Sequence, residues 1–387
     1  LHEAIMNTAI GTPQIEPQKP ASSSLPPVPM TGNLPPRVPD VFDPEYRSAM
    51  KNVLEARQPM DWIGVHQFLG FPEDRVAGAK FVTRRLSVAP DPDRVVLSHS
   101  TQAILTVLCG ALIGTNGVLA VEELTYPTMA KFAKQMGFNL VGVKLDDQGI
   151  IPDAFEKVCE QHKPQALYTL PTLQNPTTAL MGLERRKEIV AIARKHGVAI
   201  FEDEIYALLP EDLPPPLAEL APEITYYMLG TAKSIGAGLK AAYLVTPKET
   251  DPARLFWPGS GMTYWMIAPA NAGVATELIH NGGADRIISA VRDETRARQN
   301  MVAETLKGVS FRTAPECLHV WMDVPANREL SDFVEDCKRR GAEVGPATTF
   351  LIAGGSAPHR IRFGTGKARD REVLQRGLDA IAGAFFR

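Results

Sequence analysis

The stretch LGTAKSIGAGLKAAYLV, Leu229–Val245, sets Lys233 between short polar groups and a glycine-rich turn that opens into an apolar strand. A lysine amine taken out of water has a lowered pKa and attacks carbonyl carbon, whereas on the surface it is only a solvated charge. Asp203 closes another apolar run, VAIFED, and Tyr206 follows it by three residues. A carboxylate at a strand end can carry a metal, act as a base, pair with a ring cation, or cap the next helix. Asn175, in QNPTT, either closes an Asx turn with the proline behind it or presents its amide to a ligand. Ser100, Thr101 and Gln102, in SHSTQ, stand where a helix begins. Unpaired backbone N–H groups and the positive dipole end there form a phosphate seat, although Ser and Thr also cap helices with no ligand at all.

These residues need a frame that gathers them. Strands are expected at Val95–Ser98, Gly117–Val121, Leu140–Lys144, Ala166–Leu170, Val198–Glu202 and Ala241–Val245. Helices are expected at Gln102–Ile113, Thr128–Met136 and Leu183–His196. Such alternation predicts an α/β fold with a mostly parallel sheet flanked by helices on both faces. Folds of this kind place ligands beyond the carboxyl ends of the strands. The polar groups SHSTQ, EELTYP, PTLQNPTT and EDEIY stand at those ends. Further on, a helix over Asp285–Leu306, an apolar strand CLHVWMDV, a helix over Leu330–Arg340 and a last helix after Asp370 predict a smaller α+β domain. The long helix is charged on most faces and reads as solvated.

With 387 residues, 44% apolar and 22% charged, the chain is long enough for one large domain with a smaller one attached. The expected division is an N-terminal arm or linker over 1–38, a large domain over 39–283 that holds the N-terminal part of the small domain near 39–85, and a C-terminal small domain over 284–387. A net charge of −3 gives no basic footprint for nucleic acid, and no apolar run approaches a membrane span. Cys109, Cys159, Cys317 and Cys337 lack metal-ligand spacing and read as buried thiols, which fits a reducing cytoplasm; no metal is expected. The chain begins at Leu1, and Gly11–Pro39 is dense in proline and serine. That composition suits an arm that wraps over a partner subunit or a tether to an upstream domain.

Taken together, STQ, TYP, NPTT, DEIY, AKSIGAGLK and IRFG resemble, in order, the motifs of the fold-type I pyridoxal 5′-phosphate enzymes, the aspartate aminotransferase superfamily, over Pro39–Arg387. The resemblance implies that Lys233 forms a Schiff base with the cofactor and that Asp203 keeps the pyridine nitrogen protonated. It implies that Asn175 and Tyr206 hydrogen-bond the phenolic oxygen, that Tyr126 stacks on the ring, and that Ser100, Thr101 and Gln102 hold the phosphate, with Thr231 reaching it as well. Arg362 receives a substrate carboxylate; Arg360, two residues away on the same strand face, competes for that role. Two departures from the pattern stand out. Lys240 occupies the place of a phosphate-gripping arginine, and Gly230 and Ala232 stand where hydroxyl side chains are usual.

Within that superfamily, PDVFDPEYRSAM, GFPEDRVAGAKFVTRRL, CLHVWMDVP and FGTGKARDREVLQRGLDAIA resemble the aminotransferase-like domain of MocR-type regulators of the GntR family. That narrower resemblance implies an effector-sensing homodimer that forms an external aldimine with a small amino compound and reaches DNA through an upstream winged helix. The alternative is a free aminotransferase acting on an amino acid and a 2-oxo acid. Ligand specificity is expected around Thr31–Leu34, Gly64–Gly70 and Thr348–Gly355. His99 is a candidate ligand contact or a histidine satisfied by nearby backbone, and Trp257, Tyr264 and Trp265 read as packing groups near a subunit interface.

Overall fold

The computed structural model describes residues 25–256, 267–352 and 355–386. Within them, seven strands form one sheet in the order Val95–Ser98, Ala242–Val245, Thr225–Gly230, Ala199–Asp203, Ala166–Thr169, Val118–Glu122, Asn139–Val143. Ala242–Val245 alone runs against the direction shared by the other six. Successive residues of a strand serve opposite faces. Ile200 accordingly packs with Phe155 and Ile189 on one side, and Phe201 with Tyr168 and Tyr226 on the other. The sheet is thus covered twice, as its apolar strands require. The helix Leu183–His196 on one face ends at Gly197, whose φ of 67° lets its N–H turn back to the Ala193 carbonyl.

The strand Thr225–Gly230 was not anticipated from sequence. All six of its residues are buried, as are those of Val95–Ser98, Ala166–Thr169 and Ala242–Val245, but TYYMLG opens with three hydroxyl-bearing residues and does not read as an apolar run. The helices Pro39–Ala56, Pro72–Val82, Pro152–His162 and Pro269–His280 were not anticipated either, whereas the elements that were expected fall within a residue or two, for example Thr128–Met136, Leu183–His196 and Leu330–Arg340.

A second, antiparallel sheet joins Phe311–Arg312, His319–Asp323, Arg360–Gly364 and Gly345–Pro346. The helices Leu330–Arg340 and Arg371–Phe385 cover it, and Phe333, Phe363 and Leu378 fill its core. Val28–Pro29 pairs in parallel with Ala342–Glu343, and Val28 and Met30 belong to this smaller core. Residues 39–85, read from sequence as holding the N-terminal part of the small domain, send Ala49, Val53 and Phe81 into the larger core instead. The helix Gly283–Thr305 runs through both, with Ile287 and Val291 in the larger core and Val302 in the smaller. Its expected solvated character needs correction. Arg298 is fully buried, where its Nη1 donates to the carbonyls of Thr365 and Ala368 at 2.8 and 2.9 Å and its Nε pairs with Glu294. A charge pattern by residue type does not distinguish an arginine in water from one spent on interior carbonyls.

All four cysteines are buried free thiols. No helix among the described residues is long and apolar enough to cross a membrane. The readings of Trp257, Tyr264 and Trp265 and of the Pro/Ser-rich stretch before residue 25 lie outside the described residues.

Candidate functional site

The carboxyl ends of the parallel strands open into a cavity of about 610 Å³. Asp203, Tyr168 and Gly230 reach it directly from strand ends, Ser100, Thr101, Gln102 and Tyr126 from the loops and the helix that follow, and Lys233 and Lys240 from the turn after Thr225–Gly230. Arg362 and Phe350 close it from the small domain, and Thr31–Leu34 from the N-terminal arm. Of the residues singled out from sequence, the structure brings together Ser100, Thr101, Gln102, Tyr126, Asn175, Asp203, Tyr206, Lys233, Lys240 and Arg362. His99 also lines the cavity.

Thr231 does not line it: the side chain is buried and the hydroxyl donates to the Ala241 carbonyl at 2.9 Å. Of the three segments expected to set specificity, Thr31–Leu34 and Thr349–Phe350 contribute, and Gly64–Gly70 does not. Leu69 instead accepts, through its carbonyl, from the Leu97 amide at 2.9 Å, so that segment lies along the edge strand of the sheet.

Asp203 is buried, with Oδ2 accepting from the Tyr168 hydroxyl at 3.1 Å and Oδ1 from the Ile205 amide at 3.2 Å. Those donors do not offset the lost hydration, and burial raises its carboxyl to about 7. Its strand is fixed from the opposite face, where Glu202 accepts from the Leu217 and Ala218 amides and Glu204 from Arg85 and Thr172. The buried Arg186 bridges Glu202 and Glu204 at 3.6 Å to each.

Lys233 is part-buried, and its Nζ donates to the backbone carbonyl of Asn33. Burial first, and the Arg362 charge second, push its amine down to about 8, against the pull of Asp203. Arg362 lies across the Phe350 ring, with its guanidinium carbon 4.9 Å from the ring centroid. Its Nε and Nη1 are buried and have no hydrogen-bond partner among the described residues. Arg360, by contrast, is spent on the carboxylate of Asp323, its partner on the neighbouring strand of the small sheet.

Asn175 makes no Asx turn, because its Oδ1 is buried and unpartnered. Gln174 closes that turn instead, its Oε1 accepting from the Thr177 amide at 2.9 Å and hydroxyl at 2.7 Å. Gln174 Nε2 is in turn held by Glu122, whose carboxylate also accepts from the Thr169 hydroxyl and the Leu170 amide. Glu122, Gln174 and Tyr168 were missed in the sequence, since a Glu, a Gln and a Tyr at strand ends have many uses. The signal available was their nearness to Asn175 and Asp203.

Ser100 caps the helix Thr101–Leu108, its Oγ accepting from the Ala103 amide at 3.1 Å. Cap and anion seat are therefore compatible, since the cap uses one amide and leaves the helix end facing the cavity. Gly230 lets that end come close: a Cβ there would lie 2.5 Å from Ile205 Cδ1 and 3.2 Å from Thr101 Cγ2. A side chain at 230 would displace the tip of Ile205 and sit tight against Thr101.

The cavity thus gathers a part-buried lysine amine, a buried carboxyl, a buried arginine and the N-terminal end of a helix. The chain belongs to the aminotransferase class I and II family, whose profile matches residues 42–381. It is 25% identical over 288 residues to the uncharacterized HTH-type transcriptional regulator YdeF of Bacillus subtilis, covering 74% of this chain and 62% of that one. The chain therefore spans less than two thirds of that relative. It is 24% identical over 305 residues to the 2-aminoadipate transaminase of Thermus thermophilus, covering 76% of this chain and 75% of that one. The solved structure of the α-aminoadipate aminotransferase LysN from Thermus thermophilus, complexed with N-(5′-phosphopyridoxyl)-L-leucine, superposes with a TM-score of 0.80 at 22% identity over 93% of this chain and 92% of that one. The fold is that of the fold-type I aminotransferases.

Proposed function

We propose that this chain is a pyridoxal 5′-phosphate-binding, aminotransferase-like domain that senses a small amino compound carrying a carboxylate, as the effector part of a MocR-type regulator. The fit of the cofactor rests on four groups. Asp203 is a buried carboxyl lacking a full counter-charge, Asn175 has an orphaned amide oxygen, Arg362 has two orphaned donors, and Lys233 has a depressed pKa. A ligand with a protonated ring nitrogen, an aldehyde and a bound carboxylate-bearing amine answers Asp203, Lys233 and Arg362, and its phenolic oxygen would accept from Asn175 with the amide turned to present Nδ2. When bound, pyridoxal phosphate supplies an electrophilic carbon for amines and a ring that takes up electrons from the neighbouring carbon.

The chain's own residues have separable tasks. Asp203 would hold a proton on the ring nitrogen, its burial compensated by that cation. Lys233 near 8 keeps a usable fraction of uncharged amine at neutral pH, and Nζ is the group that can give or take a proton within the cavity. Ser100, Thr101 and Gln102 at the helix end, with Lys240, would hold the phosphate; Tyr126 would face the ring; Asn175 and Tyr206 would meet the phenolic oxygen. Arg362 would take the carboxylate through its planar fork.

The observation that carries the sensing role is the likeness to YdeF, of which this chain spans only 62%, leaving length for a domain that reads DNA. A homodimer and a cytoplasmic setting belong to this reading. The likeness to a 2-aminoadipate transaminase over three quarters of that enzyme favours the second reading, a free aminotransferase. Single-turnover absorbance of the cofactor-loaded protein against amino acids and amines separates the two. A shift in the cofactor band that persists marks sensing, and a bleaching that a 2-oxo acid reverses marks transamination.

A further inference from the structure

We propose that Asn33 and His319 are positioning residues for Tyr206 that turn its hydroxyl proton toward the cavity. The proposal rests on the cofactor reading above only for what receives that proton. The direction of the whole chain of hydrogen bonds follows from one group. The backbone carbonyl of Gln174 can only accept, and His319 Nε2 lies 3.1 Å from it, so Nε2 carries the ring proton. His319 is fully buried, and burial, with the charges of Arg362 and Lys233 adding to it, pushes its pKa down to about 3. The ring is therefore neutral and Nδ1 is an acceptor.

Asn33 Nδ2 stands 3.0 Å from that Nδ1 and donates one of its hydrogens to it. The second goes to the Tyr206 oxygen at 2.9 Å. A flipped amide would set Asn33 Oδ1 against the Nδ1 lone pair, so the Gln174 carbonyl fixes the amide as well. The Cys317 thiol, 3.5 Å from Nδ1, is a weak donor of the same sense. Among the described residues Asn33 is the hydrogen-bond partner of Tyr206, and the oxygen already accepts there. Its own proton is free for an acceptor in the cavity that Tyr206 lines. The charged and titratable groups acting on the phenol are Arg362 from the small domain, Asp203 from the neighbouring strand end, and Cys317.

The chain of bonds joins three parts of the fold: the arm at Asn33, the large domain at Gln174 and Tyr206, and the small domain at His319. An accepted hydrogen bond makes the phenol a better donor, so Tyr206 is prepared to stabilise a phenolate-like oxygen and to lower the pKa of whatever bears it.

Two measurements test this. In protein labelled with 15N-histidine, with H319Q to assign the resonance, His319 is expected to show the Nε2-protonated tautomer unchanged from about pH 8 to about pH 5, well below the ordinary histidine value of about 6.5. An Nδ1-protonated ring, or one titrating near that ordinary value, overturns the proposal. The second readout is the pH midpoint of the bound pyridoxal phosphate absorbance. N33D presents only acceptors, takes the phenol proton for itself, and is expected to raise the midpoint as far as Y206F does, by about 1 to 2 pH units for one charge-assisted hydrogen bond. N33L removes the donated bond without capturing the proton and is expected to give a smaller rise. Equal midpoints for wild type, N33L and N33D overturn the proposal. A protein that binds no pyridoxal phosphate at all sinks the cofactor reading, and the tautomer then decides the Asn33–His319 arrangement by itself.

Discussion

The Nζ of Lys233 is hydrogen-bonded to the backbone carbonyl of Asn33, 200 residues earlier in the chain. Asn33 lies on the arm that begins by pairing with the small-domain strand Ala342–Glu343, so one contact ties the reactive amine, the arm and the small domain together. A lysine engaged with a ligand carbon must release that carbonyl. The Asn33 side chain also donates to Tyr206, so the lysine and the tyrosine meet the arm at the same residue. In the sensing role proposed above, this contact would couple a ligand to the arm, since a ligand shifts a conformation only through contacts that differ between the two states.

K233A is expected to abolish the pyridoxal phosphate mass fixed to the protein by borohydride, while leaving the fold intact because Lys233 fills no core position. Mass spectrometry of the peptide spanning Leu229–Val245 checks this. A fixed adduct that survives in K233A, or one found on Lys240, would overturn the assignment of the nucleophile.

Asp203 gives a pH dependence with a defined sign. Its folded pKa is raised to about 7 from an ordinary 3.8, so between those values the folded state holds a proton that the unfolded chain has released. Its contribution is fully present below about pH 4 and is lost as pH rises through 7. Glu122, raised to about 7 by burial, acts in the same direction, so the comparison must be with a variant. In the cofactor-free protein, D203N is expected to gain on wild type by up to roughly 4 kcal/mol from pH 4 to pH 8, measured by urea unfolding. Pyridoxal phosphate should erase that gain by supplying the missing cation. Parallel stability curves for the two proteins would count against the assignment.

The sheet and the site were legible in the sequence to different depths, for physical reasons. Strand ends carrying Asp203, Asn175 and Ser100 could be read because apolar runs stop abruptly at polar groups, and the cavity forms at those stops. Thr225–Gly230 could not, since its first three residues, Thr, Tyr and Tyr, carry hydroxyls and break up the apolar run. Asn33 and His319 were hidden by distance: one sits in a proline-rich arm and the other in an apolar strand, and only the fold brings Nδ2 and Nδ1 to 3.0 Å. The choice between Arg360 and Arg362 depended on the resemblance, because both share a strand face. The observed pairing of Arg360 with Asp323 now gives a structural reason for preferring Arg362.

That preference is testable directly. R362A is expected to weaken carboxylate-bearing amines by about 1.5–3 kcal/mol, roughly 10- to 150-fold in Kd, with little effect on amines that lack a carboxylate. R360A should leave both classes unchanged, since it breaks only a part-exposed pair at the ends of two strands of the small sheet. Cofactor-band titrations with matched amino acid and amine pairs report both variants. Loss of carboxylate selectivity in R360A with its retention in R362A would reverse the assignment.

Lys240 offers a gain-of-function test of the anion seat. It is exposed and lines the cavity, so a larger side chain has room there. An ammonium brings charge to a phosphate, whereas a guanidinium adds a planar pair of donors matched to two of its oxygens. K240R is therefore expected to tighten pyridoxal phosphate by about 1 kcal/mol, roughly fivefold in Kd, and to slow its release on dilution. Pyridoxal without its phosphate should bind both proteins alike, because the added donors have no oxygen to meet. Equal tightening of both compounds would mean that residue 240 acts through the fold of the turn, and the phosphate would then have to be sought at the helix end of Ser100 alone.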